Sequence, residues 1–403
     1  MDQDWAGGLP KHILDSIVEK LESSIDFLRF GVVCDSWYSI TKDNRIKRSK
    51  MLRHHQVPML LVPSEEEHTW SIYNVLDEKF LTLKLSLTYD KHFSGSSQGW
   101  LVITNKDYTV TLCRPCFTLE GDFDDASKSI HLPCLFPPLS EFYQNAEDLP
   151  RLDNESYVDE IEEVLVEGYD FHVLKALITA DPLLNPNDCI IVVKYDQSKL
   201  AFLRYGKDTT WTKFADPYKF QDVVLYKNHI YAIDSFGRLL SFDPYNGIMK
   251  WVASGIQTTS GGTLNRYLVE SFGELLTIER YVRFLECDDH FYGRVTLTFK
   301  VFKLDFDGAK WVEIKSLGDV ALFIGDSSGI SVLASKFRGC QANCIYFTHD
   351  DAGLTTKTET YCDLGVYFLE SESFDFHYNL NSNVFHRMQR RPPIWIVPLL
   401  DGY

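Results

Sequence analysis

Residues 5–40 read WAGGLPKHILDSIVEKLESSIDFLRFGVVCDSWYSI, more apolar side chains than so short a stretch can bury. Pro10 suits the first turn of a helix, where its missing N–H costs nothing. Ile13, Leu14, Ile17, Val18 and Leu21 then recur at helical spacing, with Lys11, Asp15 and Glu19 on the other side. Ser23, Ser24 and Asp26 offer caps for a second helix that carries Phe27, Leu28, Phe30 and Val33. A third, short helix is expected to hold Trp37 and Ile40. Three short helices of about 40 residues cannot bury all of this by themselves, and the surplus points to another protein.

Beyond this stretch lies a basic segment, residues 42–55, KDNRIKRSKMLRHH. A nuclear-import signal or a nucleic-acid patch has this composition, but so does the solvated face of a helix, which is the preferred reading. From Val57 onward the apolar runs are short, β-branched or aromatic, and bounded by turn residues. Residues 57–62 read as a first strand, and 69–76 with 80–87 as a hairpin. A second set follows at 99–104, 108–113 and 128–132, and a third at 189–195, 200–205 and 211–214. The fourth is 221–226, 229–234 and 239–243. The fifth is 266–272, 274–280, 298–305 and 310–314, and the sixth 320–324, 330–333, 344–348 and 365–370. Sets of about four strands, spaced roughly 40–50 residues apart, predict a β-propeller of about six blades. A ring must close, so residues 392–397 near the C-terminus are expected to join 59–62 in one blade. Residues 141–170 are markedly acidic and read as a surface insertion between blades. At the insertion's end, 169–178 fits a strand or a helical turn equally well.

Two resemblances fit these readings. The first stretch resembles an F-box, the helical module that docks a substrate receptor on a Skp-type adaptor of a cullin ubiquitin ligase. The likeness runs through Leu9-Pro10, Leu14, Ile17, Leu21, Asp26, Arg29, Phe30, Val33-Cys34 and Trp37; His12 departs from it, where an acidic residue is usual. Most of residues 57–398 resemble the KIB-type β-propeller that follows the F-box in a large plant family. GSSQGWL (95–101), DCIIVV (188–193), HIYAIDSFGRLLSFD (229–243), YLVESFGELLTIER (267–280), NCIYF (343–347) and DLGVYFLE (363–370) carry that likeness, and HRMQRRPPIWIVP (386–398) closes it. The implied architecture is multi-domain, α plus all-β: an F-box over 1–48, then a propeller over 49–403. The resemblance also implies that Leu9, Pro10, Leu14, Ile17, Leu21, Phe27, Phe30, Val33, Cys34 and Trp37 bind the adaptor. The client and its binding residues are not implied.

Composition narrows the function further. A formal net charge of -17 argues against phosphate-backbone binding. No apolar run approaches the ~18 residues of a membrane helix, and the first residues lack a signal-peptide pattern. The nine cysteines follow no framework of even spacings, which suggests thiols in the cytoplasm or nucleus.

Motifs with chemical potential are few. Residues 95–99 and 325–329 both fit G-x-S-x-G, around Ser97 and Ser327, with Asp350, Asp363, His377 and His386 following the second. A nucleophile elbow needs strand, sharp turn and helix; apolar β-runs follow here instead. Cys113, Cys116, Cys340 and Cys344 are enough thiols for zinc but lack a compact knuckle, so they read as buried small hydrophobes. The pairs Asp124-Asp125, Asp288-Asp289 and Asp350-Asp351 sit in expected turns, where adjacent carboxylates seldom aim at one point. Trp70, Trp100, Trp211, Trp251, Trp311 and Trp395 are expected mainly between blades, with one or two available for binding. The expected function is a non-catalytic receptor subunit of a ubiquitin ligase, without cofactor or metal. Its partners would be a Skp-type adaptor, through it a cullin-RING ligase, and a client protein, with no nucleic acid and no membrane. The alternatives are a scaffold outside any ligase and a propeller serine hydrolase acting through Ser327.

Overall fold

Short runs rich in β-branched and aromatic residues pair with their sequence neighbours, and hairpins build the molecule up one sheet at a time. In a computed structural model of the chain, the described residues are 8–21, 24–52, 57–66, 68–86, 92–105, 109–114, 129–135, 173–196, 198–214, 218–257, 263–287, 290–348, 363–376, 378, 380, 382–388 and 391–397. They form six sheets. Blade 1 holds Met59–Pro63, Thr69–Asn74, Lys79–Ser86 and the late strand Ile394–Ile396. Blade 2 holds His92–Ser97, Trp100–Thr104, Val110–Cys113 and Ser129–His131. Blade 3 holds Val173–Ile178, Ile190–Tyr195, Lys199–Arg204 and Thr212–Lys213. Blade 4 holds Phe220–Tyr226, His229–Asp234, Leu239–Phe242 and Met249–Ala253. Blade 5 holds Thr263–Ser271, Glu274–Cys287, His290–Asp305 and Lys310–Ile314.

Blade 6 is wired differently. Val320–Gly325 turns back into the innermost strand Ser328–Leu333; the chain then crosses over, so that Cys344–Phe347 runs parallel to the first of these. Gly365–Phe368 and Ser373–Phe376 complete the sheet. The strands 394–396, 92–97, 173–178, 220–226, 263–271 and 328–333 adjoin one another in that order around the ring. Closure occurs as expected, with Met59 opposite Ile396, Leu60 opposite Trp395 and Leu61 opposite Ile394.

The interior is divided among the seams between blades. Each neighbouring pair of blades shares one apolar cluster: Trp100 and Val102 with Ile191 and Val193 between blades 2 and 3, or Ile278 and Val301 with Ile345 and Phe347 between blades 5 and 6. Buried ions join some seams as well. Asp222 on the inner strand of blade 4 meets Lys175 Nζ of blade 3 at 2.6 Å and accepts the Leu268 N–H of blade 5 at 2.7 Å. Arg280 of blade 5 donates to Asp363 Oδ2 at 3.0 Å and to the Thr348 carbonyl at 2.9 Å, both in blade 6 or flanking its strands.

Three helices precede the ring: α1 (Lys11–Lys20), α2 (Ser24–Gly31) and α3 (Asp35–Leu52); α4 (Ser382–Met388) packs with blades 1 and 6 through Val384 and Met388. The third helix is not short. It runs for 18 residues, past the expected boundary at 48 and through most of the basic segment, because no Gly or Pro interrupts it. Residues 173–178 are a strand. Strands at 92–97, 249–253 and 373–376 extend the pattern read from sequence. The acidic stretch 141–170, Cys116, Asp350, His377 and the three Asp-Asp pairs lie outside the described residues, as does the side chain of His386.

Candidate docking site on the N-terminal helices

Pro10 is itself extended (φ -62°, ψ 144°), and its carbonyl accepts the N–H groups of Ile13 and Leu14, which starts α1. One face of α1 supplies Leu14 and Val18 to a small core with Phe27 and Phe30 of α2 and Ile40 of α3. Leu9, Ile17, Leu21 and Trp37 pack around it partly buried, and the rings of Phe30 and Trp37 lie 4.2 Å apart. Among the described residues, the cluster draws on residues 9–40 alone. Gly31 lets α2 approach α3, since a Cβ there would stand 3.1 Å from Thr41 Oγ1. Polar ties fix α1 on α3: Asn44 donates to Asp15 Oδ1 at 2.8 Å, and Lys11 pairs with Asp43 at 2.8 Å.

This arrangement sorts the ten expected adaptor-binding residues. Leu14, Phe27 and Phe30 are inside, where they hold the helices together. Leu9, Ile17, Leu21, Cys34 and Trp37 are intermediate, and Pro10 and Val33 are exposed. Ile13, Val32 and Tyr38 are exposed too, Val32 by 59%. These three were outside the expected set. Their signal was present in the same stretch: a filled core leaves no room for further apolar residues beside it.

The other candidates fall into structural roles. Both G-x-S-x-G segments are β-hairpin turns leading into strands, at Gln98-Gly99 and Asp326-Ser327. Ser97 Oγ accepts the Ile178 N–H at 3.0 Å and so links blade 2 to blade 3. Gly95, at φ 129°, lies where a Cβ would meet the Ser327 carbonyl oxygen at 2.8 Å, and Gly329 approaches Val269 as closely. These glycines serve close crossings of chain, which explains the motif without a nucleophile. Cys113, Cys189 and Cys344 are buried; burial pushes the Cys344 thiol up to about 11 and Cys189 up to about 12. Among the described residues no cluster of three His, Cys, Asp or Glu is placed to hold a metal, and no helix is long and apolar enough to cross a membrane. Trp70, Trp100, Trp211 and Trp395 are buried, whereas Trp251 is half exposed.

Ring and helices together define a six-bladed β-propeller behind a small helical unit. Residues 72–368 match the KIB1-4 beta-propeller family model, and the chain belongs to that family. Its relatives in Arabidopsis thaliana include F-box protein At2g17036, 27% identical over 98% of this chain and 95% of its own length. F-box protein SKIP23 is 26% identical over the same shares. Putative F-box protein At1g65770 is 28% identical over 86% of this chain and 89% of its own.

Proposed function

We propose that this chain is the substrate-receptor subunit of a cullin-RING ubiquitin ligase, with residues 1–48 as its F-box and the helices docking a Skp-type adaptor. The propeller holds a client protein. The observation that carries this reading is the exposed apolar set on and between the helices, Pro10, Ile13, Val32, Val33 and Tyr38, beside a core already filled. The names of relatives aligned over 98% of this chain support it. Exposed members of the set touch the adaptor, and Leu14, Phe27 and Phe30 act by holding α1 and α2 in place. The chain performs no bond chemistry. It places a client lysine near a charged conjugating enzyme and makes their encounter effectively intramolecular. Its place of work is the cytoplasm or nucleus, the reading that the cysteine spacing suggests.

Capture of a purified Skp-type adaptor by the full chain tests this. Val33→Asp and Leu9→Ala/Pro10→Ala are expected to weaken capture at least tenfold while the ring stays folded. Trp37→Ala does the same by loosening Phe30. Capture that survives all three refutes the docking role, and a chain–adaptor complex that excludes purified cullin when it is added assigns a scaffold outside the ligase.

A further inference from the structure

Blade 4 holds an aromatic side chain out into solvent on a loop that is otherwise fully bonded. Phe236 lies between strands 229–234 and 239–242 and is 66% exposed. The Ser235 N–H donates to the Lys219 carbonyl, the Phe236 and Arg238 N–H groups to Asp234 Oδ1, and the Gly237 N–H to the Asp234 carbonyl. In return the Ser235 carbonyl accepts Arg266, that of Phe236 the Ile256 N–H, that of Gly237 Trp311 Nε1 at 2.9 Å, and that of Arg238 the Asp234 N–H. Every backbone donor and acceptor of residues 235–238 therefore has a partner inside the protein. Gly237 adopts φ 75°, and a Cβ there would meet Ile256 N at 2.9 Å. The loop is fixed, and its free element is the phenyl ring.

That ring belongs to a ladder. The Arg238 guanidinium carbon lies 5.1 Å from the Phe236 centroid and 4.6 Å from that of Trp251. Its Nε donates to the buried Asp234 at 2.6 Å. Tyr218 meets Trp251 edge-on at 5.9 Å, and Trp251 is 51% exposed on the outermost strand of the blade. Rigid aromatics held in place lose little freedom on binding, the property that makes an interface anchor. The stretch of chain that carries the ladder is charged unlike the whole protein. Residues 199–251 carry eight Lys and Arg against five Asp and no Glu, in a chain of net charge -17. Asp208, Asp222 and Asp234 are each engaged by Arg204, Lys175 and Arg238. Lys219, exposed and next to Tyr218, lies beside the turn, since its carbonyl accepts the Ser235 N–H; Lys250 alternates to the other face of its strand.

We infer that the Tyr218–Trp251–Arg238–Phe236 ladder is the client-docking surface, and that its occupant is an extended acidic protein segment bearing an aromatic or large aliphatic side chain. The apolar side chain seats against Phe236 and Trp251, and a carboxylate meets Lys219. This deepens the receptor reading and rests on the propeller being the client-holding part.

The test pans a randomised peptide library against the full chain, then measures synthetic winners by fluorescence anisotropy at two salt concentrations. Winners are expected to be acidic with a Phe, Trp, Leu or Ile, and Phe236→Ala and Trp251→Ala are each expected to weaken them about 30-fold. Lys219→Glu weakens them and flattens the salt dependence. Neutral or basic winners, winners indifferent to Phe236→Ala and Trp251→Ala, or no winners at all overturn the inference. So does single-stranded RNA retention or self-association lost with the same two substitutions, since either assigns the ladder to another occupant. Melting curves and adaptor capture by the same variants should match the parent chain, so this inference and the adaptor reading can fail separately.

Discussion

Asp222 ties three blades with one carboxylate, and its removal should be felt in all three. It lies on the inner strand of blade 4, pairs with Lys175 of blade 3 at 2.6 Å, and accepts the N–H groups of Val223 and of Leu268 in blade 5, each at 2.7 Å. Both charged side chains are under a tenth exposed. Asp222→Asn keeps the size and one acceptor but leaves the Lys175 ammonium buried without its counter-charge, a loss of about 3–5 kcal/mol. Lys175→Met strands the carboxylate instead and falls in the same range, toward the lower end because two N–H donors remain. With both charges gone the ionic imbalance disappears. The double variant should therefore cost less than the sum of the singles by at least about 2 kcal/mol. For a domain whose whole stability is about 5–15 kcal/mol, each single change is readily measured. Urea titration followed by tryptophan fluorescence gives the cycle, and hydrogen exchange at the Leu268 amide reports the seam directly. Singles costing under about 1 kcal/mol, or a strictly additive double, refute the claim that this carboxylate links the blades.

Other perturbations probe closure, crossings and buried acids. Trp395→Ala removes a fully buried indole that donates to the Ile324 carbonyl at 3.0 Å and stands edge-on to Phe323, so it should cost about 3–5 kcal/mol. Trp251→Ala should cost under about 0.5 kcal/mol, and equal losses in urea titration would contradict the assigned burial. Gly95→Ala forces a Cβ to within 2.8 Å of the Ser327 oxygen at a φ of 129°, for a loss of about 1–3 kcal/mol readable as a lower melting temperature. Burial raises Cys340 and Cys344 to about 11 from 9.0, Cys189 to about 12 from 9.0, and Tyr73 to about 12 from 10.0. Above pH 9 the unfolded chain thus binds fewer protons than the folded one. Stability from these groups is fully present below pH 9 and is lost as pH rises toward about 12, so urea midpoints that hold steady between pH 9 and 11 would count against those buried positions.

What the sequence discloses follows from which forces act locally. Strands such as 229–234 and 320–325 were legible because β-branched and aromatic residues stand between strong turns. The inner strand of blade 2, HFSGSS, was missed because its small polar residues answer to close crossings, Gly95 against Ser327 and Ser97 against Ile178, that only the assembled ring creates. VLKALI at 173–178 was ambiguous because leucine, lysine and alanine also favour helices, and neighbours on both sides decide it. MKWVA at 249–253 was hidden by its exposure, which breaks the expected alternation. The parallel pair in blade 6 carries no local sign at all, since a crossover is a property of the path. For the helices, spacing revealed which residues are apolar. The division into core (Leu14, Phe27, Phe30) and surface (Pro10, Val33) needed the packing.

The strand at 394–396 completes a sheet begun at 59–63, so the first blade is also the last to be finished. During synthesis the helical unit leaves the ribosome early, while the seam beside Leu60 waits for Trp395 to emerge. A premature stop before residue 394 would yield a chain with its helical unit present and its ring unzipped, one bare strand edge offered to any passing polypeptide. Such a product would keep its helical unit and lose the seam that Trp395 seals.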